Sequence, residues 1–157
     1  MKRVITFLMI AGMACFLSGA KLGKLEGILK PQMMKVYGNE LFVVQGHQFY
    51  IYSLEGLKLK KVVGKHGEGP GEFNPDPART IVISVLPDCI IGESRNKVVW
   101  FSRNGDFIKE VKKYPGAIQT LPLGKNYAIM KILYGEKGQS YFVVSLCDGD
   151  MKEIKEL

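Results

Sequence analysis

From residue 33 onward the chain exchanges apolar and polar positions at period two, and Gly, Asn, Asp or Pro breaks the pattern at short intervals. Successive side chains of a strand point to opposite faces, so this period predicts strands. A helix needs a period near 3.6, which no segment after residue 21 shows. One shape then returns three times. Phe49–Gly56 (FYIYSLEG) leads into Leu57–Val62, Val98–Gly105 (VVWFSRNG) into Asp106–Val111, and Phe142–Gly149 (FVVSLCDG) into Asp150–Ile154. In this alignment Ser53, Ser102 and Ser145 correspond, as do Gly56, Gly105 and Gly149.

Each copy predicts a β-hairpin: a β-branched and aromatic strand, a turn closing on Gly, then an alternating Lys/apolar strand. A further strand pair precedes each one. Met33–Tyr37 turns at Gly38-Asn39 into Glu40–Gln45, Arg79–Leu86 at Pro87-Asp88 into Cys89–Glu93, and Ala117–Leu123 at Gly124-Lys125-Asn126 into Tyr127–Leu133. Four strands recurring every ~40–50 residues is the period of a β-propeller blade. The expected fold is therefore all-β, with about three blades of four antiparallel strands at 33–63, 79–112 and 117–156. Within a blade the innermost strand should be almost continuously apolar, as in Ile81–Leu86. The outermost should be charged and wet, as in Lys109–Lys113.

The first twenty residues stand outside this scheme. Lys2 and Arg3 precede the apolar run Val4–Leu17, and Ser18-Gly19-Ala20 supplies small residues for a peptidase, so residues 1–20 read as a signal peptide and 21–32 as a linker. The run is shorter than the ~20 residues a membrane span needs. Ala14-Cys15 partly fits a lipobox, but Gly12 stands where Leu is wanted, so membrane association would require lipidation at Cys15. Without Lys2 and Arg3, the 22 basic residues become 20 against 15 acidic, a net +5. These charges are dispersed, as on solvated strand faces. Export and the lack of an aromatic-and-basic RNA motif argue against nucleic acid. An oxidising compartment permits a disulfide. Cys89 and Cys147 fall at different points of their repeats, however, and read as two buried free thiols.

The connection between the first two blades, residues 64–78, contains Gly67, Gly69, Pro70, Gly71 and Phe73. Clustered glycines suggest an anion nest, but Pro75 and Pro77 follow where a phosphate loop requires a helix N-terminus, and no Gly-Lys-Ser/Thr is present. The structural reading is a stiffened reversal whose Phe73 inserts between blades. The segment Gly64–Phe73 (GKHGEGPGEF), followed by Pro75 and a strand from Thr80, resembles the bacterial six-bladed β-propeller family related to NHL-repeat proteins. The resemblance covers about residues 33–156. It implies an exported or surface-anchored protein, in a family where many members have no established activity and most are more than twice as long. Three blades would then be half a ring: a fragment, one member of a homodimer or two-chain assembly closing the ring, or an open array.

Candidate chemistry is sparse. The expected inner strands carry no Asp, Glu or His, which removes the converging ligands a calcium or zinc enzyme needs. His47 and His66 read as isolated turn residues, and the repeated serines as turn hydrogen bonders. Glu72 and Asp76 alone are too few to hold an ion, and Trp100 reads as core. Lys35, Tyr37 and Gln119, near the presumed axis, are the candidate binding residues. No catalytic residue, metal site or cofactor is assigned. The functional expectation is an exported binding module for a protein or glycan. The alternatives are a fragment of a lactonase- or lyase-like propeller enzyme with its active residues elsewhere, or an inactive remnant.

Overall fold

The computed structural model describes residues 23–74, 80–114 and 116–157; the expected signal peptide, Cys15, Asp76 and the two prolines at 75 and 77 lie outside them. Among the described residues, twelve strands form three four-stranded antiparallel meanders. The first sheet holds β1 (Met33–Tyr37), β2 (Glu40–Gln45), β3 (Gln48–Ser53) and β4 (Leu59–Val63). The second holds β5 (Val82–Val85), β6 (Cys89–Glu93), β7 (Lys97–Ser102) and β8 (Phe107–Lys112). The third holds β9 (Ala117–Leu123), β10 (Asn126–Tyr134), β11 (Ser140–Cys147) and β12 (Glu153–Glu156). The fold is all-β, as the alternation predicts.

The sheets pack face to face. Phe42, Val44, Phe49, Ile51 and Val63 of the first meet Ile83, Ile90, Val99 and Phe101 of the second, with Phe73 of the connection fully buried among them. Phe101 contacts Phe49 edge-on at 5.5 Å and lies 6.1 Å from Phe73. The opposite face of the second sheet presents Ile91, Val98 and Trp100 to Ile129, Cys147 and Met151 of the third. Alternate residues of β6 and β7 thus serve two interfaces, which is why these strands are apolar on both faces. β1 runs beside β5, so the first two sheets come together at their first strands.

Three details depart from expectation. The innermost strand is not continuously buried: β5 is only four residues long, and Ile83 is buried whereas Val82 is 40% exposed. One face of the strand packs on the first sheet and the other does not. The outermost strand is not uniformly wet either. Lys113, just beyond β8, has its side chain buried in an ion pair with Glu93.

The third repeat is also displaced from its sequence alignment, by three residues at Ser145 and by two at Gly149. Ser53 and Ser102 close their hairpins by donating backbone N–H to the carbonyls of Lys58 and Asp106, and their hydroxyls accept the N–H of Glu55 and Asp106. In the third sheet Asp148 does both jobs: its N–H bonds the Lys152 carbonyl and its carboxylate accepts the N–H of Asp150 and Lys152. The bulge of each last hairpin lies in the same place under this register, between Ile51 and Tyr52, Trp100 and Phe101, and Leu146 and Cys147. Ser145 and Gly149 are therefore not the counterparts of Ser102 and Gly105. Asp148 is an equally good turn former, so its presence masked the shift.

Candidate functional site

The glycine-rich connection consumes its own donors. Gly67 N–H bonds the Phe73 carbonyl, Gly69 N–H the Glu72 carboxylate at 3.0 Å, and Gly71 N–H the Glu110 carboxylate at 3.1 Å. The Lys97 ammonium, on a buried side chain, donates to the Gly69 carbonyl at 2.8 Å and to Glu110 at 2.9 Å. Lys65 pairs with Glu72, and its hydrogen bond leads the interactions holding that carboxyl below its usual value. The nest is filled by the protein's own carboxylates and offers no place to a phosphate. Pro70 rides on this latch, and Phe73 anchors it. A Cβ on Gly92 would stand 2.6 Å from the Phe73 ring, so the ring seats only over a glycine.

Lys35 and Tyr37 sit on β1, opposite Phe42 and Glu40, on the side that faces the second sheet. The Arg103 guanidinium stacks over the Tyr37 ring at 4.7 Å and bonds Glu40 at 2.7 Å. Beside it lies a small cleft of about 160 Å³ lined by Glu40, Ile51, Lys60, Lys61, Arg103 and Asn104. Gln119 is elsewhere. Its partner across the ladder is Met130, on the side of the third sheet turned away from the second. The three candidate binding residues are thus divided between two surfaces with the second sheet between them.

Between the second and third sheets lies a polar group that the sequence did not single out. Glu93 accepts the Thr120 N–H at 3.1 Å and pairs with Lys113. Nearby, Glu153 accepts from the Lys131 ammonium and the Ser145 hydroxyl, each at 3.0 Å, and the Lys131 ammonium lies 4.6 Å from the centre of the Tyr114 ring. Burial alone would lower Lys131, but the hydrogen bond and charge of Glu153 outweigh it and hold the ammonium above its usual value. Hydrogen bonds from Lys131 and then Tyr114 hold Glu153 down. Ser145 donates to a carboxylate that is already ion-paired, so no free base activates it. The Glu93–Thr120 bond ties the second sheet to the third, while Lys131, Ser145 and Glu153 brace the third sheet internally; a buried lysine in an otherwise apolar alternating strand was the only sequence signal.

The remaining candidates are quickly placed. His47 and His66, expected apart, meet edge to face at 5.5 Å, because the β2–β3 turn and the connection fold onto each other. Burial, with the neighbouring His66, lowers His47. Cys89 and Cys147 are both free but border the same apolar cluster, and burial raises both thiols. Trp100 is buried and donates to the Tyr127 hydroxyl at 2.9 Å. Among the described residues no group of three His, Cys, Asp or Glu is placed to hold a metal ion.

One unspent surface is apolar. On the side of the third sheet away from the second, the ladder aligns Ala128 with Leu146, Met130 with Val144 and Ile132 with Phe142; Leu121 extends the row. Phe142 is 66% and Leu121 50% exposed. The corresponding end of the array, the outer face of the first sheet, is covered over β2 and β3. Leu25 and Ile28 cover Val43, Tyr50 and Tyr52, and the Gln45 side chain accepts the N–H of Leu29 and Lys30, both at 2.7 Å.

Three antiparallel four-stranded meanders stacked face to face, with no helix among the described residues, define an arc of a β-propeller. One solved structure with this architecture is that of BamB from Moraxella catarrhalis, similar at a TM-score of 0.53 and 18% identity. The match covers 80% of this chain and 33% of that one, so the chain spans about a third of that protein's length. No protein-family model and no curated protein matches the sequence.

Proposed function

We propose that the chain is an exported propeller module that binds another protein, without catalytic machinery of its own. The carrying observation is the uncovered apolar face of the third sheet, led by Phe142, Val144 and Leu121. Contiguous exposed apolar surface on an otherwise well-packed fold marks an interaction site. The polar groups argue in the same direction: Lys97 is spent on Glu110, Lys113 on Glu93 and Lys131 on Glu153, so none of these buried or half-buried charges is a poised acid or base. Lys35 and Tyr37 flank the small basic cleft and form a secondary contact, while Gln119 belongs to the main face. The further features of this reading are a six-bladed ring of the NHL-related type and export through residues 1–20.

The test is site-specific photo-crosslinking in cells. A photoreactive residue at position 142 is expected to give discrete protein adducts in the exported fraction, and one at Lys58, on the wet edge of the first hairpin, none. Equal labelling from both positions, or none from 142, overturns the reading.

A further inference from the structure

The blade-to-blade contacts repeat in chemistry as well as in shape, and the repeat has one unused copy. In the corrected register Ile51, Trp100 and Leu146 are equivalent, and each faces a lysine on the outer strand: Lys61, Lys109 and Lys155. Lys61 reaches across to the hairpin turn of the second sheet and pairs with Asp106. Lys109 reaches across to the turn of the third, bonding the Gly149 carbonyl at 2.8 Å and Asp150 at 3.0 Å. Among the described residues the Lys155 ammonium has no such partner. It stands at the rim of the uncovered face, on the same side as Leu146. The apolar positions repeat in the same way. Phe49, Val98 and Val144 are equivalent; the first two are buried by the next sheet, and Val144 is 38% exposed.

We infer that this face is a third blade-to-blade interface whose occupant is the first sheet of a second copy of the chain, seated so that its Glu55 meets Lys155. This rests on the binding reading above and names the partner. Three observations on the first sheet fit it. Glu55 is exposed and lies two residues after Ser53, as Asp150 lies two after Asp148. Met34 and Val36 are bare on the outer face of that sheet. The Leu25–Ile28 strap covers Val43 there, and Val43 is the counterpart of Gly92, over which Phe73 fills the interface between the first and second sheets. The strap is therefore the filler this kind of interface uses, and it dresses the first sheet for a neighbour. Reciprocal docking of two copies sets the uncovered face of each against the first sheet of the other about a two-fold axis.

The experiment is light scattering on the purified chain over a concentration series, with charge reversals at two exposed residues that leave folding intact. A mass twice that of one chain is expected. Lys155→Glu and Glu55→Lys should each weaken the dimer at least about tenfold, because like charges then face each other, and combining them should restore most of the affinity. Val144→Asp should abolish it. A strict monomer at every concentration, or a dimer indifferent to both reversals, overturns the inference. A monomer whose position 142 still crosslinks to a different protein overturns only the second copy as occupant; one that crosslinks to nothing overturns the binding reading as well.

Discussion

Met151 in the third sheet occupies the backbone position that Gly105 occupies in the second. Both have positive φ, 63° and 79°, and each donates its N–H to the carbonyl three residues back, Asp148 and Ser102 respectively. A left-handed methionine costs about 1–2 kcal/mol relative to glycine. Here the turn directs the side chain into the cluster of Ile91, Trp100 and Ile129, where it is buried. The hairpin accepts backbone strain for an apolar contact between sheets.

Replacing these two residues should therefore hurt for opposite reasons. Met151→Gly relieves the backbone but empties a buried site, for a net loss of about 1–3 kcal/mol. Gly105→Ala both strains the backbone and drives its Cβ to 2.3 Å from Val63, and should cost at least about 2 kcal/mol. Urea unfolding of the two variants checks the signs; a stabilised Met151→Gly would show that the contact is worth less than the strain.

Phe73 and Gly92 should behave as a coupled pair. Phe73→Ala is expected to cost about 3–5 kcal/mol by opening a cavity between the first two sheets. Gly92→Ala alone should be strongly destabilising, because its Cβ would overlap the ring at 2.6 Å. In the Phe73→Ala background the same methyl enters vacated space and should be far less harmful. A double-mutant cycle with a coupling of at least about 1 kcal/mol supports the contact, and strict additivity contradicts it.

Architecture was legible in the chain because alternation and turn chemistry are local properties. Gly38-Asn39, Pro87-Asp88 and Gly124-Lys125-Asn126 mark the strand reversals where they occur. The register of the last hairpin was not legible, because Ser and Asp cap turns equally well and Met151 replaces the glycine that would have fixed the frame. Contacts between repeats were hidden for a different reason. Which lysine meets Asp106, and whether His47 meets His66, depends on how sheets and turns fold onto one another, and period-two patterning carries no information about that.

Lys97 should act as the latch of the glycine-rich connection. Lys97→Met keeps the apolar stem but strands the Gly69 carbonyl and leaves Glu110 with one partner fewer. A loss of about 1–3 kcal/mol is expected for a buried hydrogen-bonded charge pair with one partially exposed member. Trypsin should then cut after Lys65 several times faster than in the unaltered chain, with cleavage elsewhere little changed. Lys65 is mostly exposed, so Lys65→Met should shift stability by less than about 0.5 kcal/mol. An unaltered cleavage rate in Lys97→Met would mean that Phe73 alone holds the connection.

Acid should destabilise the fold in two stages. Burial and His66 lower His47 from 6.5, so the unfolded chain takes up that proton first; the contribution of neutral His47 is complete above about pH 6.5 and declines below it. Glu72 and Glu153 are held below 4.5 and Asp106 and Asp148 below 3.8, chiefly by hydrogen bonds from Lys65, Lys131, Lys61 and the Lys152 backbone respectively. Their contribution is present above those values and disappears as pH falls past them toward the folded-state values. Urea midpoints measured at successive pH values should decline gently from near 6.5 and steeply below 4.5. His47→Gln should flatten the first stage and leave the second unchanged. A first stage that survives His47→Gln would assign it to another group and remove the histidine contact from the account of acid stability.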